Sequence, residues 1–316
     1  MKPAEGPHVW RAADLAADRS WTIELTPAEI ASLDAGRFDL PRLDEVRAGL
    51  ENGRGLALVR GLPVARYSEE TAAVIFSGIG DALGIAVSQS YKGDRIGHVR
   101  DIGEAGRYYT VGGALEMHMD PVDVVGLLCL KRAVSGGASR IASSAAVHNA
   151  VLEERPDLMP FLRAGFHYTS RQEDKAAGAP PVTPWRVPVF GEIDGRFAAF
   201  LLPIAIRNAE REGSALSSRE REALDVLGRT AARDELAFEM DLEPGDMQFL
   251  NNRLILHGRA DYRDSPDPAR KRHMLRLWLM VPDWPPRPAN MNMHARHDRA
   301  AGGIAPKTSV ETGDRP

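Results

Sequence analysis

Cysteine is nearly absent from this chain of 316 residues, and the single Cys129 excludes both an intrachain disulfide and a thiolate-built metal cluster. It sits in the apolar stretch Val124-Val125-Gly126-Leu127-Leu128-Cys129-Leu130, where a thiol behaves as a small buried hydrophobe. No apolar run approaches the ~20 residues that a membrane-crossing helix needs, and Met1 to His8 lacks the basic-then-apolar pattern of a signal peptide. A cytoplasmic protein without a membrane partner is therefore expected. A large excess of charge of one sign is also missing. With a formal net charge of -4 the chain has no overall attraction to nucleic acid, which is not expected as a partner.

What is present is ordinary for a globular protein: 43% hydrophobic and 27% charged residues, enough to bury a sizeable core. We expect one main domain over 55–282, with 1–54 as a helical and strand extension packed on it. The segment 283–316 is rich in Pro, Asn, Arg and Gly, has little apolar periodicity and reads as a mobile tail in which His294 and His297 are solvated.

Helix signals cluster early. Thr26-Pro27-Ala28-Glu29 has the capping-box pattern with proline at the first helical position, a second helix follows Pro41, and Ser68 caps a third ending near Gly84. Gly55 to Gly61 reads as a strand between them. From residue 117 onward short strands dominate: Val124–Leu130, Phe166–Thr169, Val187–Phe190, Arg196–Phe200, Leu236–Leu242, Met247–Leu250, Arg253–His257 and His273–Val281. Two helices, about Ala145–Glu154 and Ser218–Glu235, read as insertions outside a sheet core. The fold class is mainly β with flanking helices, and the short strands with turn signals suggest a barrel or jelly roll.

The chemistry concentrates in two places. His118-Met119-Asp120 puts an imidazole and a carboxylate two residues apart, so on an extended segment both project to one side while Met119 points away. Much later, Asn251-Asn252-Arg253 leads to His257-Gly258-Arg259. Two imidazoles and one carboxylate are the ligand types of a facial triad, which holds Fe(II) and leaves coordination positions open. Beyond His257, the run Arg272-His273-Met274-Leu275-Arg276-Leu277-Trp278 sets cations in an apolar stretch, which a fold tolerates only with an anion beside them.

His118-Met119-Asp120, Gly136-Gly137-Ala138-Ser139, Asn251-Asn252-Arg253 with His257-Gly258-Arg259, and Arg272 to Arg276 occur in an order that resembles the TauD/TfdA group of Fe(II)/2-oxoglutarate dioxygenases and the related clavaminate synthase type. The similarity covers most of residues 50 to 282. It implies a double-stranded β-helix (jelly roll) core, with His118, Asp120 and His257 as catalytic iron ligands. It also implies Fe(II) as cofactor, with 2-oxoglutarate and O2 as cosubstrates. Arg272 matches the family arginine that pairs with the far carboxylate of 2-oxoglutarate, and Ser139, after Gly-Gly, matches the assisting hydroxyl. Ser143 or Ser144 could substitute, and a serine bonded only to backbone is the alternative.

Arg276 lies four residues beyond Arg272 on the same predicted strand face. It reads either as a contact for the cosubstrate or for an anion on a small substrate, or as a partner of a protein carboxylate. Asp123 either caps the chain entering the next strand or binds a substrate amine. Asn252 either steadies its loop or touches a ligand, and Gln89, Tyr91, Arg100 and Tyr109 come from the segment that walls the substrate pocket in relatives.

The activity implied is hydroxylation of an aliphatic carbon, with 2-oxoglutarate converted to succinate and CO2. Halogenating relatives leave the carboxylate position empty for chloride, so Asp120 points away from that chemistry. Desaturation or cyclisation is the alternative outcome, and a β-helix that binds a metal or small acid without turnover is the rival class. A metal-dependent hydrolase would use similar ligands but gives Arg272 no purpose. Substrate identity and oligomeric state are not legible, and a homo-oligomer stays open.

Overall fold

A computed structural model describes residues 2–90, 92–102, 113–170, 175, 178–287, 289–291, 293 and 303–304. Tyr91, Tyr109, His294, His297 and part of the loop 172–184 lie outside the described residues.

In chain order the strands are β1 (Thr22–Glu24), β2 (Leu56–Arg60), β3 (Ile85–Ala86), β4 (Ile96–Val99), β5 (Leu115–His118), β6 (Val124–Lys131), β7 (Ser135–Gly136) and β8 (Ser139–Ser143). They continue with β9 (Phe190–Ile193), β10 (Arg196–Ala199), β11 (Ala237–Met240), β12 (Met247–Asn251), β13 (Ile255–Arg259), β14 (Tyr262–Arg263) and β15 (His273–Met280). Seven strands form a major sheet in the order β1-β2-β12-β6-β15-β3 with β4 also on β15, and four form a minor sheet, β11-β8-β13-β5. All these pairings are antiparallel except β1 with β2.

Period-two alternation sorts the side chains into three apolar layers. Between the sheets lie Leu56, Leu58, Val125, Cys129, Leu250, Met274 and Trp278 from the major sheet against Ile141, Met240 and Ile255 from the minor one. The intervening residues Val59, Leu128, Phe249, Leu275 and Leu277 turn outward onto the helices Leu43–Glu51 and Glu69–Leu83. The outer side of the minor sheet, including Ala142 and Leu256, packs against Ser144–Glu154, Met159–Ala164 and Ser218–Ala231. This is the jelly-roll sandwich with flanking helices that the strand pattern suggests.

The N-terminal segment joins the core through β1 and through Trp10, Leu15 and Trp21, which are buried in the inter-sheet layer. In the segment 283–316, the described Trp284, Met291 and Ile304 are buried.

Local signals behave as capping chemistry requires. Thr26 accepts a hydrogen bond from the Glu29 amide and Glu29 reaches back to Thr26, starting the helix Pro27–Asp34; Ser68 caps Glu69–Leu83 by accepting from the Thr71 amide. Phe166–Thr169 is not a strand. Only isolated bridges, Phe166 to Val187 and Thr169 to Val182, form there, because Pro180, Pro181, Pro184 and Pro188 remove the donors a ladder needs. The following strand accordingly begins at Phe190 rather than Val187. The strand expected at Arg253 begins instead at Ile255, after a turn in which the Leu254 amide donates to the Asn251 carbonyl, so His257 sits mid-strand.

Candidate active site

His118 ends β5, and β13 runs antiparallel to it with His257 directly opposite. Their rings lie 4.4 Å apart between centroids. Gly258 makes this approach feasible, since a Cβ there would stand 2.5 Å from the Leu115 carbonyl oxygen. Met117 and Met119 turn into the helix-side core, whereas His118 and Asp120 turn inward together. Asp120 Oδ1 is 3.8 Å from His118 Nε2 and Asp120 Oδ2 is 3.7 Å from His257 Nε2, and all three residues are buried.

The protonation states suit metal binding. His118 Nδ1 donates to the Glu116 carbonyl at 2.9 Å, which leaves Nε2 facing Asp120 as the free lone pair. Burial, reinforced by neighbouring His257, pushes the His118 imidazole down to about 4, so it is neutral near pH 7. Burial alone would raise the Asp120 carboxyl, but the Arg276 charge and the adjoining His257 and His118 imidazoles outweigh it and hold the group below its ordinary value. Trp278 Nε1 donates to Asp120 Oδ2 at 2.8 Å and fixes the carboxylate plane. Asn252 grips the loop from the other side, its Oδ1 accepting from the Asp120 amide and its Nδ2 donating to the Asp120 carbonyl. Asn252 is thus a loop-steadying residue. A neutral imidazole and an ionised carboxylate beside a second imidazole fit a divalent ion such as Fe(II).

The two arginines differ. Arg272 precedes β15 and is 4% exposed, its backbone amide donating to Asp264 Oδ1 at 2.7 Å. Its guanidinium forms no ion pair among the described residues, and Nη1 is buried without a partner. Burial, and then the nearby Arg259 charge, pushes it down to about 10. Tyr262 lies beneath both cations, 4.7 Å from Arg259 Cζ and 5.5 Å from Arg272 Cζ. Gly137 closes the pocket: its φ is +79°, and a Cβ would meet Arg272 Nε at 3.3 Å. Among the described residues Nη1 is thus a buried cationic donor without an acceptor.

Arg276 points toward Asp120, with Nη1 3.7 Å from Oδ2, and lies over the Trp278 ring at 4.6 Å. Gln89 holds it twice: Gln89 Oε1 accepts from Arg276 Nε at 2.7 Å, and Gln89 Nε2 donates to the Arg276 carbonyl at 2.7 Å. His273 turns the other way, toward His98 and Glu69.

Ser139 begins β8, is buried, and donates to Gln248 Oε1 at 3.0 Å. The alternatives have other tasks, because Ser143 caps the helix Ser144–Glu154 and donates to the His8 carbonyl, while Ser144 donates to the Leu254 carbonyl. Asp123 does not cap the chain entering β6, and its carboxylate is taken up within the chain: it accepts from Arg253 Nε and Nη2 at 2.9 and 2.7 Å and from the Val281 amide, a buried structural pair. Cys129 is fully buried, and burial pushes its thiol up to about 12. Arg100 is exposed. Sequence reading missed Trp278, Arg259, Tyr262 and Gln248. Trp278 could have been found as the next same-face residue after Arg276; the others become neighbours only through the sheet.

A family model described as taurine catabolism dioxygenase TauD, TfdA family matches residues 22–278. The chain is 32% identical to FR-33289 synthase of Streptomyces rubellomurinus over 331 aligned residues, covering 95% of this chain and 97% of that protein. It is 29% identical to the taurine hydroxylase-like protein SAT17 of Stachybotrys chartarum, over 76% of this chain and 64% of that one. Its fold is similar to an asparagine oxygenase solved with Fe(II), 2S,3S-3-hydroxyasparagine and succinate, with a TM-score of 0.65 at 16% identity over 82% of this chain and 93% of that one. It is also similar to the non-heme iron oxygenase OrfP solved with Fe and alpha-ketoglutaric acid, with a TM-score of 0.60 at 15% identity and the same coverage. On the match over residues 22–278 and the near full-length relative, the chain belongs to the TauD, TfdA family of dioxygenases.

Proposed function

We propose that this chain is an Fe(II)- and 2-oxoglutarate-dependent oxygenase that hydroxylates an aliphatic carbon of a small, anionic molecule. The observation that carries the reading is the buried group of His118, Asp120 and His257 on the same sandwich interior as a buried arginine that has no counter-ion among the described residues. His118, Asp120 and His257 hold the iron. Arg272 pairs with the far carboxylate of 2-oxoglutarate through its planar fork, and Ser139 assists once its hydroxyl turns from Gln248. Arg276, braced by Gln89, faces the substrate's anion or the near carboxylate of the cosubstrate.

Bound iron supplies joint activation of dioxygen and the 2-oxo acid, with succinate and carbon dioxide as coproducts. The chain's own residues bind, orient and keep water out. Trp278 and Asn252 fix the carboxylate and its loop, and the sandwich walls shield the ligands. The asparagine oxygenase and OrfP structures contain hydroxylated asparagine and hydroxylated arginine, which supports a substrate of similar size here. No helix among the described residues is long and apolar enough to cross a membrane, and we place the protein in the cytoplasm. We assign the catalytic unit to 55–282, with 1–54 packed on it.

Anaerobic addition of Fe(II) and 2-oxoglutarate should give the weak visible charge-transfer band of the chelate, and admission of O2 should release succinate. His118→Ala or His257→Ala should abolish both. A well-folded wild-type protein that shows neither band nor succinate would overturn the reading.

A further inference from the structure

We propose that Glu69, His98 and His273 form a second divalent-cation site, suited to Zn2+ or a similar imidazole-binding ion, on the outer face of the major sheet. The three come from different elements: Glu69 opens the helix Glu69–Leu83, His98 lies on β4, and His273 opens β15. Each offers one donor atom within 4.8 Å of the others, the only such trio besides the active-site triad among the described residues.

The spacing around His98 Nδ1 is close to that of a coordination shell: it is 3.0 Å from His273 Nε2 and 3.2 Å from Glu69 Oε1, while the 3.5 Å approach of Glu69 Oε2 is to Nδ1, the other nitrogen of the His273 ring. Bonds of about 2.0–2.1 Å to Zn2+ put tetrahedral ligand atoms roughly 3.3 Å apart. A proton on His98 Nδ1 bridges to His273 Nε2 alone, the contact to Glu69 Oε1 being one of distance without a hydrogen bond, whereas an ion beside Nδ1 can take an atom from each of the three residues.

Two imidazoles select Zn2+, Ni2+ or Cu2+ over Mg2+ and Ca2+, which demand oxygen ligands. Arg100 and Lys131 also face His273, and their charges oppose a cation. With three protein ligands and those two charges, the site binds more weakly than a closed four-ligand structural centre. Glu69 and His98 are each 42% exposed in their side chains, which gives the ion a route in and leaves room for a water ligand. An ion there would tie the start of the helix and the edge strand β4 to β15, the strand that carries Arg276.

The test is a count of bound Zn2+ on the full, tag-free chain, by calorimetric titration and by elemental analysis after equilibrium dialysis. Wild type should bind about two equivalents, one in the triad and one here. Glu69→Gln and His98→Gln should each lose one equivalent, and both side chains are exposed enough for the fold to survive either change. A His118→Ala/His257→Ala double variant should keep one equivalent, shown by the visible bands of Co2+ in its place, and adding Glu69→Gln should erase those bands. The same Zn2+ count in wild type, Glu69→Gln and His98→Gln would overturn the site and leave a hydrogen-bonded His-His-Glu cluster. Because the double variant lacks the triad ligands, this outcome is independent of the oxygenase reading.

Discussion

Arg253 and Arg272 are buried to a similar degree, at 8% and 4% exposure, yet the fold treats them in opposite ways. Arg253 is matched by the chain itself: both its Nε and Nη2 donate to Asp123, its Nη1 donates to the Pro285 carbonyl, and its guanidinium lies 5.3 Å from the Trp284 ring. Arg287 approaches the same carboxylate at 3.8 Å. Arg272 has an aromatic beneath it, a second cation nearby and no carboxylate in ion-pair range among the described residues. A buried arginine with its counter-ion ties segments together, here the turn before β13 to the segment after β5. In the function we propose, one left without a counter-ion among the described residues acts as a receptor, and its desolvation cost is offset when a ligand carboxylate arrives.

Asp123→Ala should produce the largest change, because it strands Arg253 beside Arg287. We expect a loss of about 3–5 kcal/mol in urea-unfolding stability. Arg272→Ala should leave the unfolding midpoint of the ligand-free protein nearly unchanged or raise it. If the two variants destabilise equally, the contrast between staple and receptor is wrong.

Arg272→Ala should instead weaken 2-oxoglutarate by about 1.5–3 kcal/mol, the worth of a charge-assisted pair, read as KM for the cosubstrate. Unchanged cosubstrate affinity would transfer that role to Arg276. The same contrast can be read thermally. Adding a fixed, sub-saturating concentration of 2-oxoglutarate to the iron-loaded protein should raise the melting temperature of wild type and of Gln89→Ala, and raise that of Arg272→Ala much less.

Arg276→Ala should retain succinate formation in the absence of substrate and lose its stimulation by substrate. Stimulation of normal size would remove Arg276 from substrate recognition. The smallest effect belongs to Gln89→Ala, which frees the Arg276 guanidinium without removing it. A rise in substrate KM worth about 1 kcal/mol with kcat little changed is expected, and Gln89→Glu, which keeps an acceptor for Nε, should restore much of it.

The parts of the site that were legible in sequence are those set by local geometry. Alternation placed His118 and Asp120 on one side with Met119 opposite, and the fold keeps that arrangement. Capping chemistry at Thr26 and Ser68 needed only neighbouring residues. Asp123 was misread because its partner lies 130 residues away and no local pattern announces an ion pair of that span. Gln89, 187 residues from Arg276, could be nominated for the pocket wall but not given its task as a brace. The strand Ser139–Ser143 went unnoticed since Ser-Arg-Ile-Ala-Ser carries little apolar signal, and it becomes a strand by lying between β11 and β13. Proline had the reverse effect at Phe166–Thr169, where an apolar run formed no ladder.

By itself the sequence determined the donor types, their alternation and the order in which imidazole, carboxylate, imidazole and arginine follow one another, because these depend on covalent chemistry and a two-residue period. Only the tertiary structure decided that His257 stands opposite His118, that Arg253 is neutralised while Arg272 meets no carboxylate among the described residues, and that His98 and Glu69 meet behind the sheet. Those outcomes depend on strand register and on which charges share a desolvated space, and neither is written in any contiguous stretch of the chain.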